Sequence, residues 1–343
     1  MRLRSLLVLF GAACAPSSTR TTTPAPAAQQ VPAGALDPRL TTFAYTYPVH
    51  TVEVATQQQR LEMVYIDAPA TGAANGKTVL LLHGKNFAAG YWARTIEALT
   101  AAGFRVIAPD QIGFGKSAKP ACYQFSFEAL ADNTRQLLDH AGVGPVIVVG
   151  HSMGGMLAIR FALMYGTRVE KLALVNPIGL EDWRAKGVPA ATVDELLATE
   201  LAATPESIRA YMQQAYFAGE WKPAYDELVA ILAGWTKHPR YREVAWNAAL
   251  TTDMVFTQPV VHELPRLAVP TLLVIGERDR TAIGKQRASA AVAATLGDYK
   301  VLGRAAAQAI PNATLVALPG VGHLPQVEAW DAYRDALLAF VRP

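Results

Sequence analysis

The chain has 343 residues, 51% hydrophobic and 17% charged, which is the wrong balance for a disordered protein. Lys plus Arg number 31 against 28 Asp plus Glu, so a net charge of +3 spread over this length gives no basic footprint for nucleic acid. Two cysteines cannot build a disulfide scaffold, and the length suits about two domains or one α/β domain with an insertion.

Arg2 and Arg4 precede an apolar run from Leu6 to Cys14. That run is too short to cross a bilayer, which takes about 20 residues, but it suits the apolar core of an export leader. Small residues ending at Cys14 resemble a bacterial lipoprotein leader over residues 1–14, in which that cysteine carries the lipid. Gly11 stands where such leaders usually have Leu, and Pro16 obstructs ordinary cleavage at Ala13-Cys14-Ala15. The alternative is a leader cleaved later, near Ala27. Both lead to an exported protein, either lipid-anchored to a bacterial membrane through Cys14 or periplasmic or secreted. Residues 15–40 are assigned as a tether, since the Ser, Thr, Pro, Ala and Gln from Ala15 to about Leu36 show no apolar period.

The alternating segments Val49–Val54 and Leu61–Ile66 predict an antiparallel strand pair at a sheet edge. Thr78–Leu82, Arg105–Ala108, Val146–Val149, Leu172–Val175 and Thr271–Ile275 are short unbroken apolar runs, as in parallel strands covered on both faces. Helical patterns lie between them at Tyr91–Ala102, Ser126–Ala141 and Ser152–Tyr165, with Gly103, Gly142 and Gly166 at their ends. Leu315–Leu318 is a last strand and Val327–Phe340 a last helix. This alternation predicts an α/β fold with a doubly wound sheet.

About 90 residues separate Asn176 from Val269, too many for a structureless loop. Helical patterns at Thr192–Leu201, Glu206–Tyr216, Ala224–Leu232 and Arg240–Leu250 predict a helical cap over 177–268, inserted into a core of 41–176 and 269–343. A second, shorter insertion is expected over Ala290–Ala309. Four of the six tryptophans lie in the cap, where they suit both a small cap core and an apolar pocket lining.

Gly150-His151-Ser152-Met153-Gly154 has the form G-x-S-x-G, follows an apolar strand and opens a helix. That setting suits a nucleophile elbow, whose sharp turn needs glycines and puts a helix N-terminus beneath the serine. A serine needs a base. His323, in the loop Pro319–Pro325 after the last strand, is the candidate. His151 is expected to pack, and His50, His140, His238 and His262 to be solvated. Asp279, at the carboxyl edge after Thr271–Ile275, is the candidate acid that orients the imidazole, with Glu277 and Asp182 as competitors. The oxyanion donors are expected at the Met153 amide and, in the loop His83-Gly84-Lys85-Asn86-Phe87, at the Lys85 amide, with Asn86 second. The Lys85 side chain is expected to be solvated.

With His83-Gly84, the run Phe104–Ser117 carrying Asp110, Gly113 and Gly115, then Gly150–Gly155, Gly276–Asp279 and Gly322-His323, residues 45–342 resemble the α/β-hydrolase superfamily in its lidded, serine esterase-like branch. The resemblance implies eight strands with a cap after the sixth. It implies an enzyme but does not fix the substrate; because a lid would restrict long polymers, a small to medium apolar carboxylic ester cleaved through an acyl-enzyme is expected, with no cofactor and, from the spacing of histidines and cysteines, no metal. The relatives that hydrolyse epoxides or haloalkanes have Asp at the elbow, where this chain has Ser152; proline iminopeptidases have Gly-Gly-Pro-Gly where it has Lys85-Asn86-Phe87. The same triad also serves C–C bond hydrolases and haloperoxidase-like perhydrolases. A lipid-anchored binder without turnover would have no use for Ser152, Asp279 and His323 together. Gly115-Lys116-Ser117 is no phosphate loop, because Asp110 stands where its first glycine would be.

Overall fold

The computed structural model describes residues 31–342; the expected leader over 1–14, with Cys14, and the tether up to residue 30 lie outside the described residues. Strands β1 (Val49–Thr56) and β2 (Gln59–Ala68) form the antiparallel edge pair. Gln57 and Gln58 join them, both with positive φ, the twist a two-residue hairpin requires. The remaining strands are β3 (Thr78–Leu82), β4 (Arg105–Pro109), β5 (Val146–His151), β6 (Val169–Val175), β7 (Thr271–Gly276) and β8 (Ala313–Leu318). The sheet runs β1-β2-β4-β3-β5-β6-β7-β8; β2 pairs antiparallel with both neighbours and all other pairs are parallel. The unbroken apolar runs account for this order: β5 and β7 are buried along their whole length, whereas β8, at the edge, is only half-buried.

Helices α1 (Ala93–Ala101), α2 (Phe127–His140) and α3 (Met153–Met164) connect the strands up to β6. Four cap helices follow: α4 (Val193–Leu201), α5 (Pro205–Tyr216), α6 (Asp226–Thr236) and α7 (Tyr241–Thr257). After β7 come α8 (Ala290–Ala294) and α9 (Tyr299–Ala309), and after β8 α10 (Pro325–Glu328) and α11 (Trp330–Val341). One face of the sheet buries Phe127, Leu157 and Tyr299 from α2, α3 and α9; the other buries Ile96, Leu99, Tyr333 and Leu337 from α1 and α11. Thr192 and Thr204 open α4 and α5 with reciprocal capping boxes, each worth about 1 kcal/mol.

Two expectations are corrected. The stretch Ala290–Ala309 is not an insertion throughout, because α9 is the crossover between parallel strands β7 and β8. Its Tyr299, Gly303 and Ala306 face the sheet, with Gly303 tight against Ile275. Alanines dilute that apolar stripe in the sequence. The tether also ends sooner than residue 40. Leu36 donates its N–H to the Gly234 carbonyl at 2.9 Å, Trp235 Nε1 donates to the Asp37 carbonyl at 3.0 Å, and Leu40 is fully buried against the cap. Among the described residues no helix is long and apolar enough to cross a membrane.

Candidate active site

Strand β5 ends at His151 and α3 begins at Met153, so Ser152 alone makes the turn, at φ 56° and ψ −121°. That backbone is unfavourable for a residue with a side chain, by about 1–3 kcal/mol, and persists because its surroundings enforce it. Ser152 N–H donates to the Val175 carbonyl at 3.2 Å, and its own carbonyl accepts from Gly155 at 2.9 Å and Ile178 at 3.2 Å. The flanking glycines are steric requirements. A Cβ at Gly150 would stand 2.3 Å from the Gly154 carbonyl oxygen, and one at Gly154 would stand 2.1 Å from that of Leu82. As the first residue of α3, Met153 has no carbonyl within its helix to donate to, and the helix dipole there favours negative charge.

His323 and Asp279 meet across the loops after β8 and β7. His323 Nδ1 donates to Asp279 Oδ2 at 2.6 Å, and both side chains are fully buried. The carboxylate accepts two further bonds, from Asn176 Nδ2 at 2.9 Å and from the Thr281 N–H at 2.8 Å. Such a web orients the carboxylate and fixes the imidazole tautomer. His323 Nε2, the nitrogen facing away from the acid, has no hydrogen-bond partner among the described residues. The competing acids are engaged elsewhere, Glu277 with Arg304 at 3.4 Å and Asp182 with His262 at 2.9 Å.

Sequence reasoning missed Asn176. It follows β6 at the sheet's carboxyl edge with φ 37°, accepts the Gly276 N–H at 2.8 Å and donates to Asp279, tying the end of β6 to the Asp279 loop. The available signal was a polar residue closing an apolar strand immediately before Pro177.

The loop after β3 closes on the serine. A Cβ on Gly84 would lie 3.1 Å from Ser152 Cβ, a tight contact that glycine avoids. No group among the described residues accepts the Lys85 N–H. The Lys85 side chain, expected to be solvated, is only 16% exposed and pairs with Glu200 of α4 at 3.0 Å. Asn86 Nδ2 donates to the Tyr216 hydroxyl oxygen at 2.8 Å. Two neutral histidines support these loops. His83 is fully buried, donating from Nδ1 to the Gly84 carbonyl at 2.8 Å and accepting the Gln111 N–H at Nε2 at 3.1 Å. His151 donates from Nε2 to the His323 carbonyl at 2.9 Å and accepts from the Tyr91 hydroxyl at 3.0 Å. Burial, reinforced by the neighbouring His323, holds the His151 imidazole well below its ordinary range.

The cap covers the site: Ser152 is 5% exposed, and Tyr216 lies over the His323 ring with centroids 4.5 Å apart and planes at 27°. Phe217, Trp221 and Tyr225 pack on one another as the cap's own core. Trp235 donates to the Asp37 carbonyl, and Trp246 donates to the Ala121 carbonyl at 2.9 Å. Among the described residues no cluster of three or more His, Cys, Asp or Glu is placed to hold a metal ion.

A family model described as alpha/beta hydrolase fold matches residues 77–329. Lipase 1 of Psychrobacter immobilis is 28% identical over 284 residues, covering 81% of this chain and 80% of the lipase. The 2-hydroxy-6-oxo-6-phenylhexa-2,4-dienoate hydrolase of Burkholderia cepacia is 28% identical over 274 residues, covering 78% of this chain and 89% of that enzyme. Among solved structures, a "probable hydrolytic enzyme" of Pseudomonas aeruginosa PAO1 is 53% identical with a TM-score of 0.88, over 90% of this chain and 99% of that one.

Proposed function

The chain belongs to the α/β-hydrolase fold family and is a hydrolytic enzyme, and from that premise we propose a serine hydrolase that cleaves a small to medium carboxylic ester through an acyl-enzyme. Ser152 Oγ attacks the ester carbonyl while His323 Nε2 takes its proton. Asp279 stabilises the imidazolium that forms, and the Met153 and Lys85 N–H groups receive the oxyanion. His323 then gives the proton to the departing alcohol. A water activated by the same imidazole attacks the acyl carbonyl, and collapse of the second tetrahedral intermediate frees Ser152. The observation that carries this proposal is the buried His323, its Nδ1 engaged by Asp279 at 2.6 Å and its Nε2 without a partner.

Steady-state hydrolysis of nitrophenyl esters of increasing acyl length tests activity and pocket size together. Ser152→Ala is expected to lower kcat by roughly 10⁴-fold or more with the fold intact. A fluorophosphonate is expected to label the parent and not this variant. Ester turnover at the parent rate in Ser152→Ala would defeat the proposal.

A second proposal keeps these groups and changes the bond cleaved, to a C–C bond in a diketone-type substrate. The similarity to the Burkholderia cepacia dienoate hydrolase supports it. A preference for such diketones over every ester in the panel would select it. For localisation we propose export with a lipid on Cys14, on the strength of Arg2, Arg4 and the apolar run into that cysteine. Mass analysis of the mature N-terminal peptide tests this, and an unmodified Cys14 overturns the lipid.

A further inference from the structure

We propose that Tyr216, a cap residue, is a positioning residue for the reaction, bracing the oxyanion loop through Asn86 and the base through its own main chain, so that closure of the cap completes the site. The inference rests on the serine hydrolase reading above. Tyr216 is the last residue of α5 and touches both halves of the site. Its carbonyl accepts the His323 N–H at 2.9 Å. The same oxygen would stand 1.9 Å from a Cβ on Gly322, so the histidine loop is shaped to receive it. Its ring covers the imidazole face and keeps water from it. Its hydroxyl oxygen accepts from Asn86 Nδ2 at 2.8 Å, one residue beyond the Lys85 amide.

The Asn86 contact matters because of where it acts. Residues 84–87 form a turn closed by the Phe87 N–H on the Gly84 carbonyl at 3.1 Å. An oxyanion donor is effective only if it is already aimed where charge develops, and a loop donor keeps its aim through its supports. Asn86 to Tyr216 is one such support, and its acceptor belongs to the cap. Burial holds the Tyr216 phenol well above its ordinary range, so the group stays a neutral hydroxyl.

A second set of contacts holds this part of the cap down. Ala218 and Gly219, both with positive φ, turn the chain sharply after α5. Arg278, beside the acid, then donates to Glu220 at 2.8 Å and to Glu328 Oε2 at 2.7 Å. Glu328 Oε1 takes the Gly322 N–H at 2.8 Å. The turn carrying Tyr216 is therefore fastened to the loops of both Asp279 and His323. Opening of the cap to admit substrate frees the oxyanion loop and the base together, and closure restores both.

The test is a double-mutant cycle read on a short-chain nitrophenyl ester, with Ser152→Ala as control. Tyr216→Phe keeps the ring over His323 and removes the hydroxyl, and with it the acceptor for Asn86 and the contact with Tyr211. Asn86→Ala removes the donor. Each is expected to lower kcat about tenfold with KM nearly unchanged, less than the 10²–10³-fold that follows outright loss of an oxyanion donor. The double variant is expected to be no slower than the slower single one, because both remove the Asn86–Tyr216 contact. Parent kcat in Tyr216→Phe, losses that multiply in the double variant, or losses confined to KM would each overturn the proposal. If Ser152→Ala is inert while Tyr216→Phe and Asn86→Ala match the parent, this inference alone fails. If Ser152→Ala stays active, the serine hydrolase reading fails and takes this inference with it.

Discussion

The elbow at the end of β5 and the cap meet over the same serine, but they are built by opposite means. At the elbow, main chain touches main chain: Gly150 against Gly154 and Gly154 against Leu82. The cap reaches the site mainly through side chains: Lys85 with Glu200, Asn86 with Tyr216, Arg278 with Glu220. Phe217 and Tyr225 of the cap share one buried cluster with Phe87 and Leu324 of the loops beneath, and Trp221 packs against it. Main-chain packing is thus tightest around Ser152, and polar side-chain contacts are concentrated beneath the cap.

Substitutions can break that contrast. The largest effect is expected for Gly154→Ala, whose methyl group would meet the Leu82 carbonyl oxygen at 2.1 Å. A loss of more than about 4 kcal/mol in denaturant unfolding, or no soluble protein, is expected; a variant as stable as the parent would show that packing at the elbow is not tight. Asn176→Ala comes next. It strips one donor from the buried Asp279 carboxylate and leaves the Gly276 N–H without its acceptor, a cost of about 1–3 kcal/mol accompanied by a lower kcat.

Acid sharpens the comparison through the buried histidines. Burial depresses His83 and His151 in the folded chain, whereas the unfolded chain protonates both near their ordinary 6.5. The unfolded state therefore binds more protons on acidification. Stability is fully present above about pH 6.5 and falls below it, by up to about 1.4 kcal/mol per pH unit for each group. His151→Gln is expected to flatten the fall of the melting midpoint between about pH 6.5 and 5, and an unchanged slope would refute the assignment. The smallest effect belongs to the cap: Glu200→Gln breaks a partly exposed pair and is expected to cost under about 1 kcal/mol.

What was legible in the sequence follows the same division. The buried strands announced themselves as unbroken apolar runs, and the elbow as glycines around a serine after one of them, because close main-chain approach restricts residue type. The four cap helices were readable from their periodicity and from the prolines that separate them. The partners across the cap were not. Asn86 was marked only as a second oxyanion candidate and Tyr216 not at all, since their pairing depends on how 130 residues fold back. Asn176 carried only the faint mark of a polar residue closing an apolar strand, because its worth lies in a contact with Asp279, 103 positions away. Leu36 and Leu40 were lost within a tract of small and polar residues, although their four-residue spacing suits packing on one surface.

At position 216 the main-chain oxygen, not the side chain, holds the His323 amide. Anyone retuning this enzyme therefore has an unusual handle. Exchanging the ring over the imidazole for a smaller group opens space above it at the cost of the Asn86 contact, while the backbone pin that keeps the histidine in register stays in place whatever side chain is chosen.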